Sequence, residues 1–200
     1  NHWLSWLHLG VMRMEDKDKI GARKAWEKSN ELRPNGWALR NLAVWYLREK
    51  QPETALDYYM KAWDIGPKFT QLALEIIPVL NDLKKLEDLR TFLDSLPEAA
   101  KQHERIVLEF AKQALRDEDI NLLEKLLDME YSTIREGETI LSDLWFSMHE
   151  LRISKAEGIP VDDALKARVR EDFPPPSRID FRMWTREQNK YTAPQAIPEE

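Results

Sequence analysis

The chain has no cysteine among its 200 residues. That excludes a disulfide framework, a cysteine nucleophile and any thiolate zinc site. Glycine is scarce, and no two of the six glycines stand within five positions of each other. A phosphate-cradling glycine loop is therefore absent, as is the Gly-x-Ser-x-Gly elbow of serine hydrolases. No run approaches the roughly 18 apolar residues of a membrane helix, so no membrane contact is expected. No basic segment leads into an apolar core, so no signal peptide is visible and a cytoplasmic location is the expectation. An excess of basic charge is lacking too. The 30 basic and 36 acidic residues give a net charge of −6, which disfavours nucleic acid as a partner. The whole acidic excess lies in residues 101–200. Alternating Val/Ile/Thr runs long enough for a strand are missing.

Chemistry-bearing clusters are equally thin. The four histidines are His2, His8, His103 and His149. No two stand four apart with a glutamate between them, the arrangement that puts both rings on one helix face for zinc. No metal and no cofactor are expected. Carboxylates do cluster, at Asp16 with Asp18 and at Asp117-Glu118-Asp119. In a polar loop such groups cap helix starts. A general acid needs a burial that these positions do not offer. The chain reads as non-catalytic.

What is present is helix. Hydrophobic residues make up 42% and charged residues 33%, enough for a soluble chain with a core. Segments of about 12–15 residues carry apolar groups at i, i+3, i+4 and i+7. They alternate with turn signals at Arg33-Pro34-Asn35-Gly36, Ile65-Gly66-Pro67 and Leu96-Pro97. Frames opened at Trp3, Gly36, Thr70, Glu104 and Glu138 are offset by 33, 34, 34 and 34 residues. The eighth position of each frame holds Gly10, Ala43, Ile77, Ala111 and Trp145. The twentieth holds Ala22, Ala55, Leu89 and Leu123, and the twenty-fourth Trp26, Tyr59, Leu93 and Leu127. A small residue at positions eight and twenty lets two antiparallel helices approach closely. A large residue at position twenty-four fills the space between successive units. One such unit cannot bury its own apolar faces, so neighbours must stack.

This pattern resembles the tetratricopeptide (TPR) repeat. The second frame matches best, through Leu42, Ala43, Tyr46, Ala55, Tyr59, Ala62 and Pro67. The first departs at Arg13, where an aromatic is usual, and at Ser29, where alanine is usual. The fifth keeps only its first helix. The resemblance implies an all-α, right-handed solenoid of helical hairpins with a C-terminal capping helix and an extended tail. The expected organisation is about four TPR-like helix pairs over 1–135, a capping helix and a short helix over 136–172, and a Pro-rich tail over 173–200. The closing helix is expected over 138–157, with Trp145 too bulky for a tight helix pair. A short helix starts near Asp162 or Asp163, after Gly158 and Pro160. Pro174-Pro175-Pro176 forces extended chain. The tail is expected to pack through Ile179, Phe181, Met183 and Trp184 and to fray near its end. Pro78 should bend the third unit's first helix, either as a tolerated kink or to open a pocket.

The family binds peptides on a concave face formed by the first helix of each unit. Carried onto this sequence, that face holds Trp37, Arg40, Asn41, Val44 and Arg48, with Leu4, Leu7, His8, Val11 and Glu15 before them. The third unit adds Gln71, Leu74, Glu75, Pro78 and Asp82. Asn41 stands where the family places an amide that reads a peptide backbone. Arg40 and Arg48 either hold a carboxylate or form a solvated helix face. The basic clamp of chaperone-binding members is absent, because Leu7, Val11 and Glu75 occupy its positions. The expected function is a scaffold for a protein or peptide partner.

Five of the eight tryptophans fall in the first 45 positions. The first helix is apolar on nearly every side, and Trp3, Trp6 and Leu7 suggest an N-terminal apolar interface. Preceding repeats or another domain of a longer parent protein would cover it, or else dimerisation or peptide binding through that face. The opening Asn-His-Trp-Leu points the same way, to a piece of a longer protein or a processed N-terminus. A second resemblance runs from Asp143 to Met183 and rests on the order Asp-Leu-Trp-Phe-x-Met-His-Glu, Gly-Ile-Pro-Val-Asp-Asp-Ala-Leu and Asp-Phe-Pro-Pro-Pro-Ser. It is similar to the C-terminal end of large bacterial proteins that join a β-rich, carbohydrate-associated region to a TPR-like tail. It implies the accessory region of a multidomain carbohydrate-active enzyme, with catalysis outside this chain.

Overall fold

A computed structural model describes residues 2–182. Among them the protein is all-α, with eleven helices in sequential hairpins. The hairpins are α1 (Trp3–Glu15) with α2 (Lys19–Leu32), α3 (Gly36–Arg48) with α4 (Pro52–Ile65), and α5 (Thr70–Asp82) with α6 (Leu86–Asp94). A short α7 (Glu98–Lys101) precedes α8 (Glu104–Arg116) and α9 (Ile120–Leu127). The chain closes on α10 (Ile140–Glu157) and α11 (Asp163–Asp172). The helix starts coincide with the TPR-like frames or fall within two residues of them. The residues expected at positions twenty and twenty-four are buried in all four pairs. Contacts divide the chain into two units, residues 1–106 and 107–200.

One turn device serves every hairpin. Lys17, Lys50, Lys84 and Glu118 all take left-handed backbone, with φ of 65°, 58°, 56° and 57°. Each stands at position fifteen of its frame. The next residue closes the turn by donating its N–H five residues back. Asp18 bonds to the Arg13 carbonyl at 2.8 Å, Gln51 to Tyr46 at 2.9 Å, Lys85 to Leu80 at 3.0 Å and Asp119 to Ala114 at 2.8 Å. This is the Schellman ending, normally the place of glycine. A side chain there costs roughly 1–2 kcal/mol in left-handed backbone, while glycine's extra unfolded-state entropy costs about 0.5–1. Lys50→Gly is therefore expected to stabilise the protein by about 0.5–1 kcal/mol. Chemical denaturation reads this directly, and a lowered midpoint would count against a strained turn.

In the first unit, Leu7, Ala22, Trp26, Ala38, Leu42 and Trp45 form one apolar cluster. It joins the first hairpin to the start of the second. The Trp45 indole N–H donates to the Lys19 carbonyl at 3.0 Å. Ser29 explains its own departure from the repeat pattern. Its hydroxyl donates to the Trp3 carbonyl at 2.8 Å and accepts from the Asn35 amide at 3.3 Å. Asn35 in turn caps α3 by accepting from the Ala38 N–H at 2.8 Å. Alanine at position 29 would leave these buried groups without that partner. Asp18 caps α2 through the Gly21 N–H at 2.8 Å. A Cβ on Gly36 would meet the Gly66 Cα at 3.0 Å, so these two turns need glycine to lie this close. Helix α5 runs through Pro78, which is exposed, so the missing N–H falls on the solvent side.

The second unit has its core at Val107, Leu108, Ala111 and Ala114 of α8, Leu123 and Leu127 of α9, and Leu141, Leu144 and Met148 of α10. The closing helix is not a simple cap. Its opposite side, at Phe146 and Ile153, packs on Leu165 and Val169 of α11. Burial on two sides is why α10 carries no clear apolar stripe. Trp145 joins both clusters and donates its indole N–H to the Phe173 carbonyl at 3.0 Å. Gly158 ends α10 in left-handed backbone with φ 68°, and Asp162 caps α11 through Leu165 at 2.9 Å. The tail then returns to the core. Ile179 is fully buried and Phe181 packs beside it. Arg178 pairs with Asp128 at 2.6 Å, and the Gly137 N–H donates to the Phe181 carbonyl. Met183 and Trp184, also expected to pack, lie outside the described residues.

Candidate functional site

The α3 surface holds Trp37, Arg40, Asn41, Val44 and Arg48 in one row. Between the starts of α3 and α5 lies a cavity of about 310 Å³. Gly36 and Gly66 border it with bare backbone, and Trp37 and Phe69 flank it with exposed rings. Ala62 and Pro67, with Arg40, Asn41, Gln71, Leu72 and Glu75, complete the lining. A second cavity, of about 270 Å³, is lined by Val11, Glu15, Arg40, Asn41, Val44 and Arg48. Arg40 and Asn41 border both. The structure thus brings Trp37, Arg40, Asn41, Val44, Arg48 and Val11 to adjoining hollows. His8 is exposed and lines neither.

The electrostatics of the row differ from those of a carboxylate clamp. Arg40 already holds a carboxylate. Its Nε and second terminal nitrogen donate to the two oxygens of Glu75, at 2.8 and 2.6 Å. This fork joins α3 to α5, and the bonds to Glu75 raise the arginine's pKa against the opposing effect of burial. Beneath it, burial first, and then the nearby Glu75 carboxylate, push the Tyr59 phenol well above its ordinary range. Asn41 accepts from Arg40 at 3.3 Å through its side-chain oxygen. Its NH₂ group has no acceptor among the described residues. Arg48 is exposed, with no acidic partner among those residues. The lining of the first cavity is therefore neutral in sum and mostly apolar.

The N-terminal trio separates. Leu7 is buried in the first unit's core. Trp3 is half-buried, with Arg33 over its ring at 5.3 Å. Trp6 alone of the three is exposed. Sequence periodicity missed Phe69, which closes the second frame one residue ahead of α5, outside the first-helix positions used to read the groove. A third cavity, of about 480 Å³, lies against Met60, Trp63, Leu80 and Phe92, with Asp57, Asp64 and Lys68 at its edge. It belongs to the side of α4 and α6, not to the groove row.

His149 has a structural setting. It stacks on Phe173 with centroids 4.3 Å apart and meets the edge of Trp145 at 4.6 Å. Burial, then the charge of Arg152, holds its pKa below the usual histidine value, with Glu124 opposing. Its Nε2 is buried with no hydrogen-bond partner among the described residues. Among the described residues, no three His, Asp or Glu side chains gather closely enough to hold a metal ion. No helix among them is long and apolar enough to cross a membrane.

No protein-family model matches the chain, and no curated protein matches it. Among solved structures it is similar to one described as "Functional Characterization of Pseudomonas Aeruginosa pilF". The two are 18% identical, the match covers 84% of this chain and 76% of that one, and the TM-score is 0.47.

Proposed function

We propose that the chain is a non-catalytic scaffold that holds an extended peptide segment of a protein partner across the first-helix face of its first unit. The observation that carries this reading is the cavity between the exposed rings of Trp37 and Phe69, bordered by the backbone of Gly36 and Gly66. An apolar or aromatic side chain of the segment fills it. Asn41 then offers its free NH₂ to a backbone carbonyl of the same segment. Glu75 occupies the Arg40 fork, so the site selects for an apolar anchor and not for a terminal carboxylate. Extended segments dock in this way when pockets for alternate side chains lie beside polar groups that read the backbone.

An array of immobilised random peptides tests the reading. Peptides retained by the natural chain are expected to lose about tenfold or more in affinity with Trp37→Ala/Phe69→Ala, the loss typical of a central aromatic anchor. Both rings are exposed, so helical circular dichroism should not change. Glu75→Gln should instead add binding to peptides with a free C-terminal carboxylate by releasing Arg40. Equal retention by all three proteins would remove this face as the site. The motif order of residues 143–183 favours a second reading, in which the scaffold is the cytoplasmic accessory region of a larger bacterial carbohydrate-active protein. The length of the parent reading frame decides it.

A further inference from the structure

The repeat register identifies a face of α1 that is not part of the peptide groove. In the second frame, positions three, seven and ten of the first helix are Ala38, Leu42 and Trp45. All three are buried, in one cluster with Ala22 and Trp26 of the preceding second helix. The third frame repeats this burial at Ile76 and Val79, which is only 4% exposed, while Leu72 at its position three is half-buried. Position four is buried at Leu39, Ala73, Val107 and Leu141. The same positions of α1 are Ser5, Leu9, Met12 and Trp6. Their chemistry fits the interface. Ser5 is small where Ala38 is small, and Leu9 is apolar where Leu42 is. Met12 is apolar where Trp45 and Val79 are. Their exposure does not fit it. Met12 is 59% exposed against 8% for Trp45, and Trp6 is 38% exposed against 5% for Leu39. Helical periodicity sets this side of α1 apart from the one carrying Leu4, His8 and Val11.

We propose that the Ser5, Trp6, Leu9 and Met12 face of α1 is the docking site for the second helix of another helical hairpin. The occupant is an amphipathic helix lying on α1 as α2 lies on α3. It presents a small residue and a large apolar residue four positions apart, as Ala22 and Trp26 do. The internal precedent argues for this occupant over a flat apolar partner. The small residue at position three admits a close helix backbone, and the row at positions three, seven and ten is one helix wide.

The probe is the protein's own hairpin. Residues 36–69 fused directly ahead of Trp3 keep the 34-residue spacing and place α4 where the occupant would lie. Backbone amides of residues 3–15 should then exchange with deuterium at least about tenfold more slowly than in the unfused chain. Met12→Lys and Trp6→Asp should shift the melting temperature little in the unfused chain. In the fused chain each should lower it by about 4 °C or more. Unchanged exchange, or equal shifts in both contexts, would overturn the proposal. Sedimentation of the unfused chain separates the competing occupant. A dimer abolished by Met12→Lys would assign the face to a second copy and would equally overturn it. The peptide-array result bears on a different side of α1, so either idea can fail alone.

Discussion

Gly10→Leu is expected to destabilise the first unit by about 3 kcal/mol, the upper part of the usual range for overpacking. The reason is Trp26. A Cβ built on Gly10 would fall within the Trp26 indole, against Nε1, Cδ1 and Cε2 together. The ring cannot swing aside, because Trp26 is buried in the cluster with Leu7, Ala38, Leu42 and Trp45. Its indole N–H is buried without an acceptor among the described residues. Gly10→Ala is the sharper test, since two effects oppose. Helix propensity alone would make alanine better by about 1 kcal/mol. The clash should outweigh it, so the midpoint of chemical denaturation should fall. Trp26→Phe in the Gly10→Ala background should return part of the loss, and a double-mutant cycle would show that coupling. Stabilisation by Gly10→Ala would mean that α1 and α2 do not cross at this pair.

The same two register positions show what was readable in the sequence and what was not. Position eight and position twenty-four trade size between the first two frames. Glycine stands with tryptophan in one, and alanine with tyrosine in the other. That reciprocity follows from volume alone, so hairpin order and buried positions could be read without coordinates. The left-handed turns could not. Their residues are three lysines and a glutamate, which carry no turn signal of their own, and only the hydrogen bonds behind them reveal the motif. Short α7 was hidden because four residues are too few for a period. In the groove, register placed Arg40 and Glu75 on one face. That they would satisfy each other across 35 residues depends on the stacking of α3 on α5. Leu7 was assigned to the groove by the same rule. It is instead buried, in one cluster with Trp26 and Trp45 of the adjacent helices.

The tail carries the second large effect. Ile179→Ala is expected to cost the second unit about 2–4 kcal/mol, as for a core isoleucine truncated to alanine. Residue 179 follows a proline run and lies outside any helix, where a surface position would ordinarily tolerate the change within about 0.5 kcal/mol. It is nonetheless fully buried among residues of α8, α9 and α10. Three further ties hold the segment. Arg178 pairs with Asp128, Phe181 packs on the same core, and its carbonyl accepts from Gly137. The Arg182 fork on Asp180, at 2.7 Å through both donors, holds that carboxylate's pKa below its ordinary value. Ile179→Val should cost only about 0.5–1.5 kcal/mol, because one methylene leaves a smaller void. A graded loss from valine to alanine, read by urea denaturation, is the signature of burial. If alanine and valine both melt with the natural chain, the tail contributes nothing to the second core, and α8 to α10 must close without it.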